Sequence, residues 1–290
     1  MSLLEGYETP WEDVFIQVTS LGPRANDALQ RVRSIMEERN SHREYWQYAQ
    51  TIWLWSFCQA PAGVELNSRD MKDGFKSAAL CFLFVDTADE ISIRNAERIG
   101  HDEELCIITF LFGNGGQDAK ERIAATVDCF LDLRDSRLER YEIKESPEQL
   151  AYDLIRGLIA PVDEEFLVGL DFADVRDMFF HGGEIHFGLA RTMFEADADD
   201  SQRVVTKEAL QRLEAQCNLR SARRLYLSCV SETLGSVYGL NEAANILVEL
   251  MDEDCTFIFN SSKSDAEKDY MMGVLFATET PVIEKPSYID

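Results

Sequence analysis

The hydrophobic positions in the first half of the chain follow two alternating patterns. Short runs of β-branched, aromatic and leucine residues, such as AALCFLFV and LCIITFLF, predict strands that are buried on both faces. Between them lie segments whose apolar residues return every three or four positions, which predicts amphipathic helices, as in NDALQRVRSIMEERN and SPEQLAYDLIRGLIA. Strands that alternate with helices are typical of an α/β domain built on a parallel sheet with helices on both faces.

The pattern changes after position 174. Strand-like segments, EIHFGLARTMF, RLYLSCVS, CTFIFNSS and YMMGVLFAT, are separated by the predicted helices RVVTKEALQRLEAQCN and YGLNEAANILVELMDED. This order predicts a smaller α+β domain with a mixed sheet. We therefore expect two domains, an α/β domain over residues 10–165 that includes the helix SPEQLAYDLIRGLIA, and an α+β domain over residues 166–285.

Three local predictions are less regular. The segment REYWQYAQTIWLWSFCQA, residues 43–60, has apolar residues at helical spacing and predicts a core-facing helix, with an exposed aromatic partner surface as the alternative. The segment QDAKERIAATVDCFLDLRD, residues 117–135, is predicted as one helix. RYEI, residues 140–143, is a possible strand.

Composition and charge narrow the class of function. The net charge of −25 argues against nucleic acid and anionic membranes as partners, because both are negatively charged. No apolar run reaches the roughly 18 residues of a membrane-spanning helix, and the N-terminus has no basic signal-like region, so we expect no membrane insertion and a cytoplasmic location. The seven cysteines form no C-x-x-C pair and are expected to be reduced thiols.

Histidine spacing gives no support for a metal site. HGGEIH places His181 and His186 five positions apart around a glycine pair, which is not the i, i+4 spacing of a helical zinc site. We therefore expect no bound metal.

Two glycine-containing loops are candidates for binding phosphate. SLGPRAND lies between a strand and a helix, where backbone N–H groups can hold an anion, but Gly22 is followed by Pro23, which has no N–H to donate. FLFGNGGQDAKERI offers Gly113, Gly115 and Gly116, but at neither dinucleotide-binding nor P-loop spacing. An ordinary turn is the alternative for both loops.

The segment GLDFADVRDMFF places two carboxylates at the predicted start of a helix. Asp171 can accept the N–H of Asp174, and both carboxylates suit the positive end of a helix dipole. On these residues alone, helix capping and a catalytic role both remain open.

LVGLDFADVRDMF resembles the catalytic loop and following helix of FtsZ, the bacterial homologue of tubulin. NEAA at residues 241–244 and the strand YMMGVLFAT resemble later parts of the same family, and VFIQVTSLGPRANDALQRV resembles its first strand, glycine loop and helix. The chain thus resembles a divergent FtsZ/tubulin superfamily protein across most of its length. The resemblance implies an N-terminal Rossmann-like parallel-sheet domain and a smaller C-terminal α+β domain, joined by a central helix.

The resemblance also implies roles for individual residues. In the family, GTP sits at one end of each subunit and the catalytic loop of the next subunit acts on it, so that hydrolysis needs association. Asp171 and Asp174 match the two acidic positions of that loop, although Gly169 stands where the family usually has Asn. Gly22 and Asn26 match nucleotide-side positions of the first loop.

The family's glycine-rich phosphate loop has no counterpart in this sequence. After the strand LCFLFV the chain reads DTADEISIRNAER, without glycine, and we expect Asp86, Asp89 and Glu90 to repel phosphate. The resemblance then implies a subunit that keeps the face acting on a neighbour's nucleotide while its own nucleotide site is degenerate.

Three functions are compatible with these features. In the first, the chain is not an autonomous GTPase and acts by association with an FtsZ/tubulin-like subunit, itself or a paralogue, completing GTP hydrolysis on the partner or capping its filament. In the second, it is a divergent GTPase that self-assembles through other phosphate contacts, such as residues 113–116. In the third, it is a scaffold in which Asp171 and Asp174 only cap a helix. No cofactor is expected, although GTP is possible.

Overall fold

The computed structural model describes residues 14–40, 53–60, 63–66, 80–99, 106–163, 165–168, 170, 172–180, 182–193, 198–264 and 270–279. Its strands are Val14–Leu21 (β1), Trp53–Gln59 (β2), Leu80–Asp86 (β3), Cys106–Phe112 (β4), Cys129–Asp132 (β5), Glu165–Phe166 (β6), Gly183–Met193 (β7), Arg224–Ser231 (β8), Thr256–Lys263 (β9) and Tyr270–Thr278 (β10). Its α-helices are Pro23–Asn40 (α1), Glu90–Ile99 (α2), Gln117–Ala124 (α3), Asp135–Arg140 (α4), Pro147–Asp163 (α5), Phe172–Phe179 (α6), Ala198–Glu214 (α7) and Val237–Val248 (α8).

The strands form one continuous ten-stranded sheet in the order β2-β1-β3-β4-β5-β7-β10-β8-β9-β6. The strands from β2 to β7 are parallel to their neighbours, whereas β10 is antiparallel to both β7 and β8. Beyond them β9 is parallel to β8, and the two-residue β6 closes the edge in antiparallel pairing. The predicted α/β class with a mostly parallel sheet is confirmed.

The strands of the first half are buried because helices cover both faces. Every residue of β3 is buried. Along it Phe82 and Phe84 face the core that α1 and α5 cover, whereas Leu83 and Val85 face the core that α2 and α3 cover. Burying each such side chain stabilises the fold by about 1.5–3 kcal/mol, which explains the uninterrupted apolar run in the sequence.

The helix predicted over residues 43–60 is wrong where the structure describes it, because residues 53–59 form strand β2. This strand pairs in parallel with β1 from Val14↔Trp53 to Ser20↔Gln59. The spacing of apolar residues in a short aromatic-rich run fits both a helix and a strand. Here hydrogen bonding to the buried strand β1 favours the strand. Residues 43–52 of that prediction lie outside the described residues.

Two further predictions are corrected. The segment 117–135 is not one helix: α3 ends at Ala124 and residues 129–132 form strand β5, which is wholly buried beside β4. Residues 140–143 are not a strand, because α4 ends at Arg140 and Glu142 turns the chain at a φ of 54°.

Helix α5 connects the two parts of the sheet. The first part is formed by β1 to β5 and the second by β6 to β10. The helix begins where Ser146 Oγ accepts the N–H of Gln149 at 3.2 Å, and its 17 residues span about 25 Å. Near its middle, the fully buried Asp153 accepts both Nη groups of Arg191 in β7, at 2.8 and 2.5 Å. The helix is thereby fixed to the second part of the sheet by a bidentate charged pair. Among the described helices, none is long and apolar enough to cross a membrane.

This pair gives a stability prediction. Asp153→Ala leaves the Arg191 guanidinium partly buried without its carboxylate, so urea denaturation is expected to show a loss of about 3 kcal/mol in the free energy of unfolding. The control is Glu37→Ala, which removes the exposed i, i+4 pair of Glu37 with Arg33 and should cost under about 0.5 kcal/mol. Equal losses of unfolding free energy in the two variants would contradict a stabilising role of the Asp153–Arg191 pair.

Candidate functional site

The carboxyl ends of β1, β3 and β4 meet at one edge of the sheet, and we term the region between the loops that follow them the crevice. The chain adds β2 on one side of β1, and β3 and β4 on the other, so the order reverses between β1 and β3. In open α/β sheets, ligands bind outside the carboxyl ends of the strands at this kind of switch point. Three loops meet there, after β1, after β3 and after β4.

The first loop packs tightly against the second. Gly22 has a φ of +90°, and a Cβ atom on it would lie 2.1 Å from Ser92 Oγ and 2.8 Å from Asp86 Cβ. Glycine is therefore required here for its backbone conformation and for the close approach of protein to protein.

Residues 86–89, which we term the sealing loop, bring carboxylates into the crevice. Asp86 is only 5% exposed, and its Oδ2 accepts the N–H of Arg24 at 2.9 Å while its Oδ1 accepts the N–H of Ala88 at 2.9 Å. Asp89 Oδ2 accepts the N–H of Ser92 at 3.1 Å and also its hydroxyl. The N-termini of α1 and α2 thus both donate to carboxylates of the protein itself.

The third loop, residues 113–116, is also held by protein groups. Gly113 has a φ of +81° and a Cβ on it would lie 2.8 Å from Asp86 Oδ1. Gly115 donates its N–H to Thr87 Oγ1 at 3.1 Å. From the other side, Arg134 Nη1 donates to the carbonyl oxygens of Gly115 and Gly116 at 2.8 and 3.0 Å.

Three further contacts hold the start of α1. The Arg24 side chain forms an ion pair with Glu148 in the first turn of α5. Asn26 Oδ1 accepts the hydroxyl of Ser20 at 2.7 Å, and its backbone oxygen accepts Gln59 Nε2 at 3.3 Å. The predicted nucleotide-side residues Gly22 and Asn26 therefore lie close together, in the first loop and in the first turn of α1, and both pack against other parts of the protein.

A cluster of buried charged side chains holds Arg134, which in turn binds the third loop. Burial acts to raise the pKa of Asp132, but the hydrogen bonds and charge of Arg134, with the charge of Arg137, hold it below its ordinary value. Burial likewise opposes ionisation of Glu184, and Arg137 and Lys120 hold its pKa low. Lys120 Nζ lies 2.7 Å from Glu184 Oε2, so the cluster joins α3 and α4 to β7.

His186 in β7 borders this cluster. Burial lowers the pKa of His186, and the positive charges of Arg137 and Lys120 lower it further. The negative charges of Glu184 and Glu279 act to raise it, but the pKa stays below its ordinary value. The ring Nδ1 lies 3.2 Å from Arg137 Nη2, which can only donate, so Nδ1 is the acceptor and the imidazole is neutral. Among the described residues, no group of three His, Cys, Asp or Glu side chains is arranged to hold a metal.

The predicted catalytic segment is anchored at the edge of the second part of the sheet. Strand β6 pairs with the end of β9, Leu167 donates its N–H to Ser261 O at 2.9 Å, and Asn260 Nδ2 donates to Val168 O. The structure places Asp174, partly buried, in the first turn of α6. Asp171 lies outside the described residues, so its role stays a prediction.

The opposite end of α6 is held by a buried arginine. Arg224 Nη1 donates to Phe180 O at 2.7 Å, just beyond the last turn of the helix, where a cation suits the helix dipole. The helix that carries Asp174 is thus fixed to β8.

Helix α5 separates the crevice from the catalytic segment. Its first turn contacts Arg24 through Glu148, and its last residue lies two positions before β6. The first turn of α5 thus lies beside the first loop, and its last turn leads into β6 and the segment that carries Asp174.

The comparisons with known proteins agree with this architecture. No protein-family model matches the chain. The chain is 28% identical over 161 residues to the cell division protein FtsZ of Haloferax mediterranei, covering 54% of this chain and 41% of that protein. The chain thus matches less than half the length of this relative.

Solved structures are similar over nearly the whole chain. FtsZ from M. jannaschii, as a point mutant, matches with a TM-score of 0.68 at 13% identity, covering 92% of this chain and 91% of that one. CetZ2 from Haloferax volcanii, in a GTPγS-bound protofilament, matches with a TM-score of 0.66 at 10% identity, covering 91% and 92%. CetZ1 from Haloferax volcanii, a GDP-bound monomer, matches with a TM-score of 0.65 at 11% identity, covering 93% and 96%. The chain has the FtsZ/tubulin fold, as the resemblance found in the sequence implied.

Several crevice residues were not identified from the sequence. The Arg24–Glu148 pair and the contact of Arg134 with the third loop join positions far apart in the chain, and no local spacing predicts them. Asp86 and Asp89 were identified, but only as groups that would repel phosphate. Asp89 caps its own helix by accepting the N–H of Ser92, whereas the bond from the N–H of Arg24 to Asp86 depends on the relative placement of two loops.

The tight packing of the first loop gives a prediction. Gly22→Ala forces a side chain into a left-handed backbone position and against Ser92 and Asp86, so the free energy of unfolding should fall by about 2 kcal/mol or more in urea denaturation. Gly116→Ala is the matched control, because nothing lies within 4 Å of a Cβ at that position. If Gly116→Ala lowered the free energy of unfolding as much as Gly22→Ala, the tight packing around Gly22 would not be the cause of the loss.

His186 gives a pH prediction. The folded chain keeps this imidazole neutral, whereas the unfolded chain takes up a proton as the pH falls below the ordinary value of 6.5. The free energy of unfolding should therefore decrease from pH 7.5 to pH 5.5. The carboxylates Asp132 and Glu184 contribute only nearer their ordinary values of 3.8 and 4.5.

The test is urea denaturation of the wild type and of His186→Gln at both pH values. Glutamine can accept from Arg137 but does not titrate, so the variant should lose stability less steeply on acidification. An unchanged pH dependence would contradict a neutral buried His186.

Proposed function

We propose that this chain is an FtsZ/tubulin-like cytoskeletal or cell-division subunit that associates with a nucleotide-carrying partner of the same fold and does not hydrolyse GTP on its own. The observation that carries the proposal is the sealing loop, whose carboxylates accept the N–H groups at the start of α1 and α2. A nucleotide phosphate at the switch point would need these donors and would meet the carboxylates of the buried Asp86 and the partly buried Asp89.

The opposite end of α5 supports association. Phe166 of β6 is 41% exposed, and Val237 and Tyr238 at the start of α8 are 63% and 68% exposed. Strands β8 and β9 end side by side at Ser231↔Lys263, and β6 pairs with the same end of β9. An exposed apolar side chain, Phe166, therefore lies in the strand that leads into the segment carrying Asp174, and its burial favours association with a partner.

The crevice and the segment with Asp174 lie toward opposite ends of α5, so association through them has a direction. We infer that the end with Asp171 and Asp174 docks on the nucleotide end of a partner subunit, as the family resemblance implies. The exposed end of the complex would then be the sealed crevice of this chain, which offers no nucleotide to the next subunit. Such a subunit would stop growth of a filament at one end only.

A paralogue fits the partner role better than a second copy. A second copy would present its own sealed crevice, bordered by the exposed Asp27 and Asp118, to the acidic Asp171 and Asp174. Like charges that face each other weaken association, and no nucleotide would be present to act on.

The experiment combines the purified chain with a polymerising FtsZ- or CetZ-type subunit from the same cells. The chain alone should release no phosphate from GTP. At a few per cent of the polymerising subunit it should shorten the polymers, measured by electron microscopy and sedimentation, because one molecule blocks a whole filament end. Unchanged polymer length would contradict the proposal, and steady GTP turnover by the chain alone would favour a divergent GTPase.

The variants test which end docks. Asp171→Asn with Asp174→Asn keeps side chains that can cap a helix, so the variant should fold with an unchanged Tm but lose its effect on polymer length. The control is Asp118→Asn, an exposed carboxylate at the crevice end, which should leave the effect intact. If the double variant shortens polymers as the wild type does, Asp171 and Asp174 act only as structural caps.

A further inference from the structure

We propose that Asp86 is a built-in substitute for an anionic ligand, which occupies the switch-point crevice permanently and makes the fold independent of nucleotide. This inference goes beyond the proposed function, because it assigns the carboxylate a stabilising role of its own. It rests on the proposed function only in taking the excluded ligand to be a nucleotide phosphate.

The first support is the pattern of hydrogen bonds. The two carboxylate oxygens of Asp86 accept N–H groups from two different segments, the first turn of α1 and the sealing loop, each at 2.9 Å. The first N–H groups of a helix have no partner within the helix and commonly bind phosphate or another anion. Asp86 takes this acceptor role from within the chain.

The second support is the charge at the start of α1. This helix is 18 residues long and has no acidic residue in its first turn, where carboxylates ordinarily balance the helix dipole. Its first turn instead contains Arg24. The negative charge comes from β3, 62 positions away in the chain from the N–H that it accepts.

The third support is the shape of the surroundings. Gly22 and Gly113 lie on two sides of the Asp86 side chain, both with positive φ, and a Cβ on either would lie 2.8 Å from an Asp86 atom. Glycines that border a phosphate site let the backbone approach the ligand. Here they let the backbone of two loops approach a carboxylate, so the crevice is built around this side chain.

Removing the carboxylate should therefore leave an open cradle for a small anion. In Asp86→Gly, the N–H groups of Arg24 and Ala88 lose their acceptor, and the space of the side chain becomes available. Inorganic phosphate is the probe, compared with sodium chloride at the same ionic strength and pH. Wild-type protein should show the same Tm in both salts.

For Asp86→Gly we expect a Tm in chloride that is lower than wild type by about 5 °C or more. Phosphate at about 50 mM should restore roughly half of that loss, because an anion that binds only the folded state stabilises it. A variant that loses stability but responds equally to chloride and phosphate would overturn the inference.

Asp86→Asn covers the case in which the glycine variant does not fold. Its amide keeps the shape but offers one acceptor oxygen for two N–H groups, so its Tm should fall by about 3 °C more than that of the exposed Asp118→Asn. Equal Tm values for the two asparagine variants would overturn the inference. Stabilisation of the wild type by GTP would instead count against the proposed function, so the two failures are distinguishable.

Discussion

The first N–H groups of a helix need an acceptor, and at the switch point of this sheet the acceptor is supplied by the chain itself. Asp86 accepts from the start of α1 and Asp89 from the start of α2. Gly22 and Gly113 pack closely against Asp86, so two loops fit around the side chain that accepts from the start of α1. Such N–H groups at the start of a helix commonly hold phosphate. We propose that, in this chain, a stable crevice and a bound nucleotide compete for one set of donors.

Helix α5 gives this competition a functional consequence. It holds the crevice at one end and the segment with Asp174 near the other, and the buried Asp153–Arg191 pair fixes it to the second part of the sheet. A chain whose crevice is occupied by its own side chains can still present the opposite end to a partner. The chain matches the FtsZ/tubulin fold at TM-scores of 0.65 to 0.68 over more than 90% of its length.

Much of the fold could be predicted from local pattern. Buried strands such as β3 and β4 and amphipathic helices such as α1 and α5 have strong periodicity, and LDFADV is specific enough to indicate the superfamily. The aromatic segment at residues 53–59 was misassigned, because its strand character depends on pairing with β1. The crevice contacts could not be predicted, since Arg24–Glu148 and Asp86–Arg24 depend on how distant loops meet. The resemblance implied that acids stand where the family has the glycines of a phosphate loop. It could not indicate that Asp86 accepts an N–H at the start of α1, 62 positions away.

The central claim is that the crevice has no place for a nucleotide, and equilibrium binding of GTP tests it most directly. Isothermal titration of the nucleotide-free wild-type chain with magnesium GTP should give no saturable heat up to millimolar ligand. Parallel titration of a polymerising FtsZ- or CetZ-type subunit would establish that the conditions support binding. Saturable one-to-one binding by this chain at micromolar concentration would show that the sealing loop opens to admit a nucleotide, and would contradict the claim.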